Sequence, residues 1–399
     1  MNAPTQPTGS PLRNIGLLAT SQAIVGSNQA ILMSVAALTA AEMVTDKSIA
    51  TLPVSGMIIG TALATGPAAW LIHRWGRRSG FMLGAALVIP AAMLAAYAAF
   101  TAQFWLFVAA LLVIGTTQAF AQQYRFAAAD SVPPDWKPRA ISWVLAGGVV
   151  AGFVGPQISA WTKDLVEGRS FAATYLVMAG LALLAVLVLS RTRLAPTVHQ
   201  ARGEYTGRPM SELIRTPSVF VPMISAAASY ALMTLVMVAA PLAMVYVCGH
   251  TTEEAAFAIQ WHIVAMFAPS FFTGSIISRL GAPLTASIGL LAILAAAIVN
   301  LQGTTTLHFD IALILLGVGW NFGFIASTAL LSAAYRPEEA ARVQALNEQV
   351  VFGVMAVASI ASGALLDWIG WQAINVLAIP VATGAILALF LVQTRQAPA

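Results

Sequence analysis

Gln118, Gln122 and Arg125 stand at i, i+4 and i+7 at the end of a run, 79–124, that holds no charged residue. On a continuous helix that spacing puts all three on one face. Two amides and a guanidinium supply donors and acceptors for a polar solute, and the guanidinium favours an anionic group. Glu348 is the sharpest acidic residue. It lies six residues beyond Arg342, flanked by Asn347 and Gln349, about 9 Å into a helix. A carboxyl desolvated at that depth holds its proton more tightly and can carry one; pairing with a cytoplasmic Arg is the equal alternative. Asp130, five residues after Arg125, is the second proton-carrying candidate, with a structural role near the helix end as its rival.

Catalytic and metal chemistry find little support. His73, His199, His250, His262 and His308 show no His-x-x-x-His or carboxylate spacing, and Cys248 is the only cysteine, so no metal site is expected. Gly147-Gly148 lacks the Lys-Ser/Thr of a phosphate loop. The expectation is therefore neither an enzyme nor a cofactor protein.

The elements that must position these groups follow from composition. The 399 residues are 59% hydrophobic and 9% charged, with mean hydropathy +0.82, where a soluble domain carries about 25% charge. The stretches 79–124, 216–249 and 368–394 carry no charge, and each holds one or two runs of the roughly 20 apolar residues that cross a bilayer as a helix. Dividing the chain at charges and Gly/Pro clusters predicts twelve spanning helices: 13–42, 48–72, 80–100, 103–128, 138–162, 170–190, 217–247, 254–278, 281–302, 310–334, 339–366 and 370–393. If both termini face the cytoplasm, all 19 Lys and Arg except Lys47, Lys163 and Arg169 fall on that side. This positive-inside bias accounts for the basic pI without nucleic acid. The expected setting is the bacterial inner membrane, with the lipid bilayer, a small-molecule substrate and protons as partners, and a monomer as the assembly.

The polar interval 191–216 divides the spans six and six and reads as a linker between bundles at 13–190 and 217–393, with cytoplasmic tails at 1–12 and 394–399. Two echoes support a duplication. His73-Arg74-Trp75-Gly76 is answered by Ser278-Arg279-Leu280-Gly281, and Pro134-Asp135-Trp136-Lys137-Pro138-Arg139 by Pro337-Glu338-Glu339-Ala340-Ala341-Arg342. With its six-plus-six layout, the chain resembles the major facilitator superfamily. That family's loop between helices 2 and 3 reads Gly-x-x-x-Asp-Arg-x-Gly-Arg-Arg/Lys, and Arg74, Gly76, Arg77 and Arg78 match it. Ala69 and His73 replace the Gly and the Asp, and the second copy has Ser278 at the acidic position. The resemblance implies a cytoplasmic latch of His73, Arg74, Gly76, Arg77, Arg78, Arg139, Arg279 and Arg342, although a neutral imidazole at His73 supplies no fixed negative charge. The alternative is that these charges only set topology.

The same resemblance implies that helices 1, 4, 7 and 10 line a central cavity. It nominates Gln22, Asn28, Gln29, Gln118, Gln122, Arg125, Tyr230, Trp320 and Asn321 for substrate binding, against the alternative that each amide is helix-to-helix glue. The fifth helix, "WVLAGGVVAGFVGPQIS", places Gly148, Gly152, Gly155 and Pro156 as packing residues. It is similar to the Gly-Pro motif of antiporter branches, though Gln157 and Ser159 interrupt the ending. The stretch 317–353 is similar to a bacterial branch in which some members are associated with riboflavin uptake. The implied function is secondary transport of a small organic solute by alternating access, proton-coupled, with antiport or efflux as the leading mode. Uptake of riboflavin or a like flat solute is the alternative, and a transport-inactive receptor of the same fold is the rival class.

Overall fold

The computed structural model describes residues 10–129, 131–133, 137–168, 170–194, 207–336 and 339–396. Among them every regular element is helical. The first half contains α1 (Pro11–Met43), α2 (Leu52–Trp75), α3 (Arg77–Thr101), α4 (Phe104–Ala121), α5 (Tyr124–Ala129), α6 (Lys137–Thr162) and α7 (Ala172–Leu189). The second contains α8 (Met210–Arg215), α9 (Pro217–Leu242) with a π-helical extension Ala243–Val247, α10 (Thr252–Phe267), α11 (Ser270–Leu280), α12 (Ala282–Gln302), α13 (Thr306–Ala334) and α14 (Ala340–Gln396). Local chemistry sets the ends. Proline sits in the first turn of α1, α2, α9 and α12, where its missing N–H would have had no helical partner. Thr251 and Glu254 form a reciprocal capping box at the start of α10.

Among the described residues ten helices are long and apolar enough to cross a bilayer, and α10 with α11, bent by 47°, makes an eleventh when taken as one span. The last of the ten lies in α14, whose 57 residues would extend about 85 Å at 1.5 Å per residue, against a hydrocarbon core of about 30 Å. Gly370 interrupts it at φ 80°, ψ 172°. The run is two spans joined at a glycine, which brings the number to the expected twelve. Exposed Leu63, Leu176, Leu187, Val357 and Phe390 give the spans a lipid-facing surface. In the first unit exposed Trp105 and Trp161 mark span ends that alternation places on one side, and Trp70 and Trp75 mark the other, as in the aromatic belts of membrane interfaces.

The chain divides into two compact units, Met1–Gln200 and Ala201–Ala399. The boundary falls inside the interval read as a linker, of which residues 195–206 lie outside the described set. In the first unit α1 packs on α6, α2 on α4, and α3 on α4 and α7. In the second α9 packs on α14, α10 on α13, and α12 on α13 and α14. The same order of pairings occurs twice, as a duplicated six-helix unit requires.

Small residues let the backbones meet. A Cβ on Gly115 would overlap the Met57 carbonyl oxygen, and one on Gly60 the Leu112 carbonyl oxygen. In the second unit a Cβ on Gly319 would come 2.7 Å from the Gly289 oxygen. These are close approaches that only glycine permits. On α6 the residues meeting α1 are Gly147, Ala151 and Gly155. Gly148 and Gly152 are also buried in α6, which contains Pro156.

Candidate functional site

The first unit carries a cluster of amides. Gln118 Nε2 on α4 donates to Gln29 Oε1 on α1, so two of the nominated residues do meet. Beside them Asn28, 4% exposed, donates Nδ2 to the Met178 carbonyl of α7 at 3.4 Å, while its Oδ1 is buried without a partner. Asn28, Gln29, Thr117 and Gln118, with Val25, Leu32 and Met57, line a cavity of about 20 Å³, room for about one water. Gln22 lies on the flank of α1 that approaches Gly147 of α6.

Gln118, Gln122 and Arg125, expected on a single face, are each half-buried, and Gln122 N bonds the Gln118 carbonyl four residues back at 3.1 Å. α4 ends at Ala121, and Gln123 N bonds the Phe120 carbonyl three residues back, at 3.1 Å. This tightens one turn before α5 begins, within a span that runs from Phe104 to Ala128. Arg125, half-buried on α5, holds its guanidinium carbon 4.9 Å from the centre of the Phe126 ring. Asp130 lies outside the described residues. Glu348 is half-buried on α14, next to buried Asn347.

The second unit carries a cluster of rings. Trp320 and Phe324, one turn apart on α13, stack with centroids 5.5 Å apart and planes at 9°. Tyr230 of α9 meets both edge-on, at 5.2 and 5.1 Å. Phe267 of α10 lies 6.2 Å from Trp320, and Phe352 of α14 lies 6.3 Å from Tyr230. The i, i+4 spacing of Trp320 and Phe324 is visible in the sequence; the contributions of Phe267 and Phe352 depend on tertiary packing and carry no local signal.

Asn321 makes the contacts of the alternative weighed for each amide, helix-to-helix glue. Fully buried, it donates Nδ2 to the Met266 carbonyl and to Ser270 Oγ, both at 2.7 Å, and accepts from Thr273 Oγ1 at 2.6 Å. Both ends of its amide are used across the α10–α11 bend. Asn321 is thus the glue of a broken span, and its polar atoms are engaged by protein.

At the span ends on the Arg-rich side, the nominated latch divides. Gly76 and Gly281 adopt nearly the same backbone, φ 83°, ψ 157° and φ 82°, ψ 153°, in the left-handed half of the map that favours glycine. Both form the turn between neighbouring spans. Arg78 donates from Nη2 to the Ser190 carbonyl beyond α7 at 2.6 Å, a cation at a helix C-terminus. Asn14 bonds the Arg193 backbone in both directions, at 2.7 and 3.0 Å. His73 and Arg74 are exposed, with Arg74 5.8 Å from the Trp70 ring, and Arg77 is half-buried. Arg279 and Arg342 are exposed, and the side chain of Arg139 lies outside the described residues.

The second unit's principal tie is not among the residues nominated from sequence. Arg208 donates from Nε and Nη2 to the two carboxylate oxygens of Glu339, each at 2.8 Å. The backbone N–H groups of Arg208 and Arg336 add bonds of 3.0 and 2.9 Å. The Glu339 side chain is fully enclosed. The Arg208 fork and the Arg336 N–H hold its carboxyl well below the usual carboxylate range. The available signal is the echo of Pro134–Arg139 at Pro337–Arg342, which puts an acid at this corner.

Comparison with known proteins completes the assignment. The Major Facilitator Superfamily model matches residues 18–359. The riboflavin transporter RfnT of Brucella anthropi is 43% identical over 381 residues, covering 95% of each chain. YddS of Bacillus subtilis, described as an uncharacterized MFS-type transporter, is 26% identical over 404 residues, 95% of this chain and 89% of that one. A crystal structure of a point mutant of the nucleoside transporter NupG superposes with TM-score 0.73 at 14% identity, covering 94% of this chain and 99% of the other, which speaks to the fold alone. The chain is a multi-pass membrane protein, a transporter belonging to the Major Facilitator Superfamily.

Proposed function

We propose that this transporter carries riboflavin or a closely similar flat, polar heterocycle across the bacterial inner membrane, with both termini in the cytoplasm. The observation that carries the reading is the Trp320–Phe324 stack edged by Tyr230. Parallel and edge-on rings in a membrane-spanning bundle suit a planar conjugated solute. The 43% identity to a riboflavin transporter along nearly the whole chain supports the same solute class and favours it over the export of unrelated compounds.

Transport proceeds by alternating access in a monomer and draws on the proton gradient, with Glu348 as the proton-carrying group. Its support is a carboxylate half-buried in a spanning helix, where ionisable groups are costly and functional. The test is riboflavin flux in proteoliposomes with an imposed pH gradient, using wild type and Glu348→Gln. Flux that reverses with the gradient in wild type, and loses that dependence in the variant, is the expected result. Absence of riboflavin flux in either direction sinks the substrate reading. Gradient-dependent flux retained in Glu348→Gln removes Glu348 while leaving the substrate in place.

A further inference from the structure

The aromatic cluster contains one polar atom that its own packing leaves unused. Trp320 sits midway along α13, is 7% exposed, and its indole Nε1 is buried without a hydrogen-bond partner. An N–H donor left unmade in a medium without water is unfavourable. A water molecule would need two to four polar partners, and phenylalanine rings are poor neighbours for it. Around Trp320 stand Tyr230, Phe267 and Phe324, with Phe352 against Tyr230, each only partly buried, so the cluster is not a closed core.

Trp371 provides the internal contrast. It too has a buried, unpartnered Nε1 and is 3% exposed. Its ring lies 5.2 Å from that of Phe309, which is fully buried. Trp371 is therefore closed in by packing, whereas Trp320 belongs to an open group of rings. Asn321, the next residue after Trp320, is held by three hydrogen bonds to the α10–α11 bend, which fixes the register of α13 at this point.

We propose that the Trp320 indole N–H is the specificity-determining donor of this cluster, matched to a hydrogen-bond acceptor, a carbonyl oxygen or ring nitrogen, on the edge of a flat conjugated solute. This rests on the transport reading above and sharpens it. The rings select planarity, and Trp320 selects a heterocycle over a hydrocarbon of the same outline. A planar solute with an apolar edge would leave the donor unsatisfied and bind more weakly.

The test uses Trp320→Phe, which keeps an aromatic ring and removes the donor, with Trp371→Phe as control. Riboflavin binding to the purified full-length protein is measured by equilibrium dialysis, and melting is followed without ligand. Trp320→Phe is expected to weaken riboflavin about ten-fold, about 1.4 kcal/mol, without lowering the ligand-free Tm. Trp371→Phe is expected to leave affinity unchanged. Trp320→Tyr, which returns an edge donor, recovers part of the loss and serves as the second variant should Trp320→Phe fail to fold. Equal riboflavin affinity in wild type and Trp320→Phe overturns the donor role while leaving the flavin reading intact. So does an equal loss in Trp320→Phe and Trp371→Phe. If wild type does not bind riboflavin, that reading falls by itself. A pteridine and a quinolone are then run on the same proteins. The donor role stands if either binds wild type and loses about ten-fold in Trp320→Phe, and is overturned if neither does.

Discussion

The two units pair their helices in the same order and yet fill them differently. The first places Asn28, Gln29 and Gln118 around a water-sized cavity. The second places Tyr230, Trp320 and Phe324 in a stacked and edge-on group, and uses its one nominated amide, Asn321, to hold a bent span. Their end-of-span ties differ as well. The first uses Arg78 and Asn14 against backbone near the end of α7, while the second encloses Glu339 in its pair with Arg208. The lesson is that the framework and the chemistry are separable. Backbone contact through glycine fixes the helix pairings, and the side chains not needed for that contact are free to diverge.

The largest expected effect comes from attacking what the units share. Gly115→Val forces a branched side chain into the Met57 carbonyl, and Gly319→Val does the same against Gly289. Both should abolish folded protein, read as loss of the monodisperse peak in size-exclusion chromatography. Gly180→Ala, where a Cβ meets nothing within 4 Å, should be neutral or stabilise by about 0.5–1 kcal/mol. If Gly115→Val folds normally, glycine contact is not what fixes the helix pairings within each unit.

A smaller effect is expected from Glu339→Gln, which tests a tie found in one unit. Its Tm should fall by several degrees at pH 7. Because the native carboxyl lies below its ordinary value, the stabilisation is complete above the unfolded carboxylate pKa of about 4.3. It declines as pH drops below that value toward the native one. The Tm gap between wild type and variant should therefore narrow from about pH 5 downward. A gap independent of pH would show that the enclosed ion pair is not its source.

The smallest effect belongs to the amides. A double-mutant cycle of Gln29→Leu and Gln118→Leu, followed by thermal melting, should give a coupling of about 0.6 kcal/mol, the scale of hydrogen bonds between membrane helices. Zero coupling would separate the two residues and leave the first unit without a polar counterpart to the rings.

Much of this is legible in the sequence because a bilayer constrains a chain severely. Uncharged runs, basic loops and the two echoes, of which His73–Gly76 with Ser278–Gly281 is the clearer, lead to twelve spans in two repeats. What escapes depends on departures from ideal helices. The face through Gln118, Gln122 and Arg125 assumes an even period, and the i→i−3 bond that tightens the turn at Gln123 has no sequence signal. Asn321 reads as a binding group because its polarity is visible, whereas the broken span whose polar groups it satisfies is not. Arg208 and Glu339 lie 131 residues apart, beyond any local pattern.

Gly370 has a bearing on how this protein can be handled and assembled. The helices on either side of it pass from one to the other through a single non-helical residue, so that corner has no loop beyond the helix ends. A protease, an antibody or an inserted epitope has little to grip there, whereas the turn at 163–168 between α6 and α7 offers more accessible backbone. The last two spans are also too closely joined to enter a membrane independently, and they are suited to insertion as one helical hairpin.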